Sequence, residues 1–198
     1  MGKAEKTKQH IINEAALIFN RKGLADTTVE DVLKAANVAR GCLYNYFETK
    51  EALALETVGF LLRKKVDKNA EILSRHKTAK ENIHAYLNFC KNSADTFIAG
   101  GCPLFNFATE SHENNPAIKK LIKDAIVETQ KMLTGVLSSG IKSGEFSADL
   151  VPRDFAMRLY TMVEGCTVVC RVLETRAPLE NVVKSIKLEL NTYCLPRP

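Results

Sequence analysis

Seven residues near the first quarter of the chain, Arg40-Gly-Cys-Leu-Tyr-Asn-Tyr46, hold side chains suited to hydrogen bonding with a polyanion. Arg40, Tyr44, Asn45 and Tyr46 can donate to phosphate oxygens or to base edges, and Gly41 lets a backbone come close to its target. A solvated helix face is normally rich in Glu and Lys; this window has no acid at all. Other chemistries find less support. Cys102 with His84 or His112 has the atoms of a nucleophile and a base, but nothing orients such a pair. The six cysteines, Cys42, Cys90, Cys102, Cys166, Cys170 and Cys194, include no C-x-x-C pair and no Cys/His set with zinc spacing. No phosphate loop or nucleotide fingerprint is present. The residues therefore point to binding, with no enzyme activity, metal or cofactor expected. Reduced cysteines fit a cytosolic chain.

Bulk properties agree. The chain has 198 residues, a formal charge of +5 and 45% hydrophobic residues, enough for a core. Residues 1–65 carry 11 basic and 8 acidic side chains, a net of +3 on a third of the chain. No apolar run reaches the roughly 18 residues that a spanning helix needs, and residues 1–8 lack an apolar signal core. A cytoplasmic protein with no membrane partner is expected.

The elements that must hold the basic window are helical. Spacings of three and four recur throughout, while sustained alternation is missing, so the fold is expected to be all-α. A first helix is predicted from about Lys6 to Lys22, with Ile12, Ala15, Ala16 and Phe19 on one face and Gly23 as its stop. Thr27-Thr-Val-Glu30 reads as a capping box opening a second helix that ends near Asn37. A third helix is predicted over Ala39–Phe47, with Val38, Leu43 and Phe47 inward, and Thr49 caps a long fourth. Two short helices joined by a tight turn and braced by a longer one form a helix-turn-helix. A plain three-helix bundle has the same periodicity; the acid-free face at 40–46 is what favours nucleic acid.

The stretch Thr27 to Leu53, and above all Gly41 to Lys50, closely resembles the signature of the TetR family of transcriptional regulators. The resemblance extends back through Ala15–Phe19 and Gly23. It implies a helix-turn-helix domain over 5–65, with the motif at about 28–47, and a larger helical ligand-binding and dimerisation domain over 66–194. It further implies a homodimer that binds a palindromic DNA operator as a repressor and releases it on binding a small-molecule effector. By position, Thr28, Tyr44, Tyr46 and Lys50 would contact the sugar-phosphate backbone, and Arg40, Gly41, Cys42 and Asn45 lie among the base readers. Two positions depart from the pattern. Ala39 stands where a Ser or Thr cap is usual, a loss worth about 1 kcal/mol; Cys42 replaces a small hydroxyl residue.

The later segments give two further expectations. Phe155, Leu159, Met162, Cys166, Val169 and Leu173 alternate spacings of four and three, and Val183, Ile186 and Leu190 continue an apolar stripe on the last helix. The family dimerises through its last two helices, so these residues are expected at the dimer interface; ordinary packing within the chain is the alternative. The run Gly100-Gly-Cys-Pro-Leu-Phe-Asn-Phe-Ala-Thr-Glu110 is similar to a short mobile helix in one branch of the family. Phe105, Asn106, Phe107 and Glu110 are accordingly expected to line an effector pocket, with Tyr86, Phe89, Met132 and Tyr160 opposite. Each aromatic also suits a core, and Glu110 an ion pair. Two alternatives stay open: a redox-responsive regulator acting through its cysteines, and a dimeric ligand-binding module with no DNA role.

Overall fold

The computed structural model describes residues 2–93, 97–111 and 115–196. His112, named above as a possible base, lies outside them. Among the described residues the chain forms nine α-helices: α1 Lys3–Lys22, α2 Val29–Ala36, α3 Arg40–Tyr44, α4 Lys50–Leu73, α5 Ala79–Ser93, α6 Pro103–Glu110, α7 Pro116–Lys142, α8 Pro152–Val172 and α9 Ala177–Thr192. The expected all-α class is what forms. No described helix is long and apolar enough to cross a membrane.

The helices cluster into two compact units. The first comprises 1–65 and 95–125; the second comprises 66–94 and 126–198. This grouping is not the expected division into 5–65 and 66–194: α6 and the start of α7 group with the N-terminal helices rather than with the rest of 66–194.

In unit one, α1 buries Ile11, Ile12, Ala15, Ala16 and Phe19 on a single stripe, and Leu43 and Phe47 are fully enclosed as expected. Gly23 ends α1 with φ 91°, and its N–H donates to Phe19 O. Two glycines permit close approaches here. A Cβ on Gly23 would meet the Glu110 carboxylate at 2.6 Å, and one on Gly100 would meet Asn20 O at 2.7 Å. Both residues also have φ above 90°, a region that L side chains rarely adopt.

In unit two, α8 and α9 run along each other and α5 packs on α9. Ile83, Tyr86, Leu87, Leu133, Leu137, Phe155, Leu159, Val163, Leu179, Val183, Ile186 and Leu190 form the buried set. Glu145 accepts from the backbone N–H of Ala79 and Lys80, satisfying the first turn of α5. The turn after α7 pairs Phe146 with Cys194 in an isolated bridge, and Leu195 N–H donates to Glu145 O at 3.0 Å. Leu195 is therefore tied down by its backbone.

The apolar seam is divided in a way that periodicity could not specify. Phe155, Leu159, Val183, Ile186 and Leu190 are buried within their own chain, as the intrachain alternative has it, so they cannot face a partner as expected. Met162, Val169 and Leu173 from the same pattern are exposed, together with Val172 and Leu188. Cys166 is half-buried. Helix α8 carries two apolar faces, and the repeat alone does not say which one its own chain covers.

Candidate nucleic-acid interface

Helix α2 begins one residue later than the sequence suggested. Thr28 is its N-cap: the Thr28 hydroxyl accepts from Asp31 N–H at 3.1 Å, and the Asp31 carboxylate accepts from Thr28 N–H at 2.9 Å. The predicted Thr27/Glu30 box is thus replaced by Thr28/Asp31. Thr27 is instead buried, its hydroxyl donating to Gly23 O at 2.6 Å. Asp31 also meets the Lys22 ammonium at 3.0 Å. The Thr28 backbone bond first, then Lys22 and the Thr28 hydroxyl, lower the Asp31 carboxyl to a pKa of about 2.

The turn to α3 passes through Asn37, left-handed at φ 50° and ψ 48°. Ala39 then opens α3 with no side-chain cap, as its residue type requires. Regular α-helix ends at Tyr44, earlier than expected, because Tyr46 N–H turns back to Leu43 O; Phe47 N–H still reaches Leu43 O at 3.0 Å. That tightening swings Phe47 into the core. Arg40, Gly41, Tyr44 and Asn45 are left exposed, Cys42 and Tyr46 half-buried. Thr49 caps α4 as expected, accepting from Ala52 N–H at 3.1 Å. Lys50, in the first turn of α4, donates to Ala25 O at 3.3 Å and so ties down the α1–α2 loop.

Sequence reasoning missed one member of this face. Glu30, freed from the cap, forms an ion pair with Arg40 across the turn. The assignment of Asp31 rather than Glu30 to position N3 depends on where α2 starts, which a one-residue shift of the cap decides.

The residues expected around an effector divide between the units. In unit one, Phe107 is fully enclosed and Phe105 half-buried. Asn106 donates its side-chain amide to Asn20 O and Gly100 O, both at 2.9 Å. Glu110 accepts from the N–H groups of Leu24 at 2.6 Å and Ala25 at 3.3 Å. These polar groups bind α6 to the end of α1 and the loop after it. Asn20, 2% exposed, completes the join by donating to Ala99 O and Gly101 O. In unit two, Tyr86 and Tyr160 are buried, Phe89 is half-buried, and Met132 lines an open cleft with Leu73, Lys77, Asn82 and Ser139.

All six cysteines are free thiols. Burial, aided by neighbouring Cys170, pushes the Cys166 thiol up, which disfavours its reactive thiolate. Cys102 accepts from the Lys65 ammonium at 2.8 Å. No group of three or more His, Cys, Asp or Glu side chains that could hold a metal occurs among the described residues.

Comparison with known proteins agrees with this geometry. Residues 11–57 match the family described as bacterial regulatory proteins, tetR family, and residues 80–186 match the tetracyclin repressor-like C-terminal domain. The chain is 23% identical over 174 residues to the HTH-type transcriptional repressor DhaR of Mycobacterium sp. strain GP1, covering 87% of this chain and 86% of that protein. It is 28% identical over 163 residues to the repressor KstR2 of Mycobacterium tuberculosis, covering 75% and 74%. The crystal structure of a TetR family regulator from Cytophaga hutchinsonii superposes with a TM-score of 0.91 at 29% identity, over 100% of this chain and 99% of that one. With both halves matched and the α2–α3 face built as a helix-turn-helix, the chain belongs to the TetR family of bacterial regulatory proteins and is a DNA-binding transcriptional regulator.

Proposed function

We propose that the protein is a dimeric repressor that holds a palindromic operator through two copies of the α2–α3 face and releases it when a small molecule binds. The observation that carries this reading is the exposed edge of α3, where Arg40, Tyr44 and Asn45 stand without an acid on the same helix. Tyr44, Tyr46, Thr28 and Lys50 supply backbone contacts; Arg40, Asn45 and the half-buried Cys42 lie among the base readers, and the exposed Gly41 lets the helix come close to the bases. Repression is the role that the names of DhaR and KstR2 give to those proteins.

Dimerisation is supported by the apolar face that α8 and α9 leave uncovered: Met162, Val169, Val172, Leu173 and Leu188. Two such faces related by a two-fold axis would bury each other, and the resulting dimer would carry two copies of the recognition helix, as a palindromic operator requires.

Release is supported by the attachment of α6. Any effector that displaces α6 pulls, through Asn106 and Glu110, on the end of α1 and the loop that leads to the α2 cap. A differential affinity of about 3 kcal/mol would shift the equilibrium more than a hundredfold. The test is selection of duplexes from a random pool by the purified protein, followed by binding assays with compounds found by thermal shift. Enrichment of an inverted repeat, and its release by a stabilising compound, is the expected result. An unstructured set of selected sequences would reject the reading.

A further inference from the structure

We propose that the N-terminal end of α1 is a second phosphate-contacting surface, in which Lys3 and Lys6 meet the DNA backbone on the side of the major groove opposite Thr28 and Lys50. The inference rests on the DNA-binding reading of the α2–α3 face.

Two contacts fix how α1 lies on α2. Lys22, at the end of α1, meets Asp31 at the start of α2, and His10 Nε2 lies 2.9 Å from Ala36 O at the end of α2. The two helices are therefore antiparallel. Helix α2 ends opposite His10, whereas α1 extends past that point as far as Lys3, about 10 Å further at 1.5 Å per residue. This overhang borders a groove, lined by Lys3, Lys6, Thr7 and His10 on one side and by residues 35–38 on the other. Spacings of three, four and seven put those α1 side chains on one face.

The charge of this groove is one-sided. No carboxylate lines it. Lys3 and Lys6 are exposed, and among the described residues neither is held in an ion pair. Lys8, off this face of α1, gives the contrast: it is paired with Glu56 at 2.7 Å. Lysines kept clear of the acids of their own chain attract an outside anion.

The place of the groove identifies that anion. Residues 37 and 38 lead directly into α3, so the groove adjoins the start of the recognition helix. Thr28 and Lys50 stand at the other end of α2, Thr28 as its N-cap and Lys50 on Ala25 O in the preceding loop. The length of α2 separates its two ends by about 12 Å. The major groove of B-DNA is about 12 Å wide and has a phosphate backbone along each border. With α3 seated in it, Thr28 and Lys50 meet one backbone and Lys3 and Lys6 the other. Two lysines one helical turn apart match successive phosphates of a strand, and as flexible point charges they position the protein without reading sequence.

The test uses the full-length protein, a random pool of duplexes about 30 base pairs long, and the sequence that the wild type enriches from it. Wild type, Lys3→Gln, Lys6→Gln and the double variant are titrated with both duplex types between about 50 and 200 mM salt. Lys142→Gln, which removes the same charge from the end of α7, is the control. Each single variant is expected to bind both duplex types about tenfold more weakly, and the double variant to flatten the salt slope by about two. Lys142→Gln should leave the slope unchanged, and arginine at both positions 3 and 6 should restore it. Ethylation of single phosphates locates the contact: interference on one strand of each half-site should disappear in the double variant and persist on the other strand. An unchanged slope in the double variant overturns the proposal, as does a loss no larger than that of Lys142→Gln or an unaltered ethylation pattern. If the wild type enriches no sequence, the reading of the α2–α3 face itself fails. The salt slopes on the random pool still decide the role of Lys3 and Lys6 in that case.

Discussion

The Asn106 side-chain amide lies 2.9 Å from Asn20 O and 3.1 Å from Asn20 Oδ1, joining α6 to the last turn of α1. Asn20 returns two bonds to Ala99 O and Gly101 O, so the loop before α6 and the end of α1 share one polar knot. Asn106→Leu would remove the donor and leave buried acceptors unmatched, at a cost of about 1–3 kcal/mol. Urea denaturation should show the loss. An effector that releases operator from the wild type should act more weakly on this variant, because α6 no longer pulls on α1.

Phe107, expected to touch effector, is fully enclosed in unit one. Phe107→Ala should therefore destabilise the fold by about 3–5 kcal/mol, the range for truncating a buried phenylalanine. Phe105, half-buried, is the better probe of effector contact. Thermal melts of both variants separate the roles: a drop for Phe107→Ala much larger than for Phe105→Ala is expected.

The two apolar faces of α8 predict opposite phenotypes. Leu159 is enclosed within the chain, and Leu159→Glu would bury an unpaired charge and unfold unit two. Val172 is 76% exposed, and Val172→Glu, alone or with Val169→Glu, should leave helix content intact while yielding monomers. Sedimentation together with circular dichroism distinguishes the outcomes. A stable dimer of the Val169/Val172 double variant would place the dimer contact elsewhere.

Lys50 and Asn45 should part company in their effects on DNA. On the proposed reading Lys50 meets a phosphate, so Lys50→Ala should lower affinity for every sequence while reducing the salt slope by about one. Asn45→Ala should alter base preference, by about 1–3 kcal/mol at the position it reads, with little change in slope. Equal losses on all duplexes for both variants would contradict this division.

Acid should weaken unit two before it weakens the α2 cap. Burial first, and then the charges of Lys187 and Lys80, push the His84 pKa below its ordinary value of 6.5. As pH falls, the unfolded chain therefore takes up a proton at His84 before the folded state does. Its contribution is present above about pH 6.5 and is lost as pH falls through the folded value. Asp31, lowered from 3.8 to about 2, contributes above about pH 4 and loses its share only as pH falls toward 2. Denaturation midpoints between about pH 7.5 and 5.5 should fall for the wild type and change less for His84→Gln, while Asp31→Asn should behave like the wild type in that window.

The helix-turn-helix was legible in the sequence because it is local. A capping Thr, a left-handed Asn37, inward Leu43 and Phe47, and an acid-free run at 40–46 all lie within about one turn of their partners, where residue type and spacing largely decide conformation. The same holds for Thr49 opening α4. What only the tertiary structure decided are relations between distant segments. Position 28 rather than 27 became the cap because Thr27 is drawn inward to Gly23 O, a contact that depends on how α1 ends. Asn106 and Glu110 read as ligand-facing groups, since nothing in their neighbourhood names Asn20, Leu24 or Ala25, more than eighty residues earlier, as their partners. Helix α8 had two apolar faces on one period, and which of them was left uncovered depended on where α9 and α5 came to lie. Hydrophobic spacing specifies that a face will be covered; the identity of its cover is a property of the folded chain.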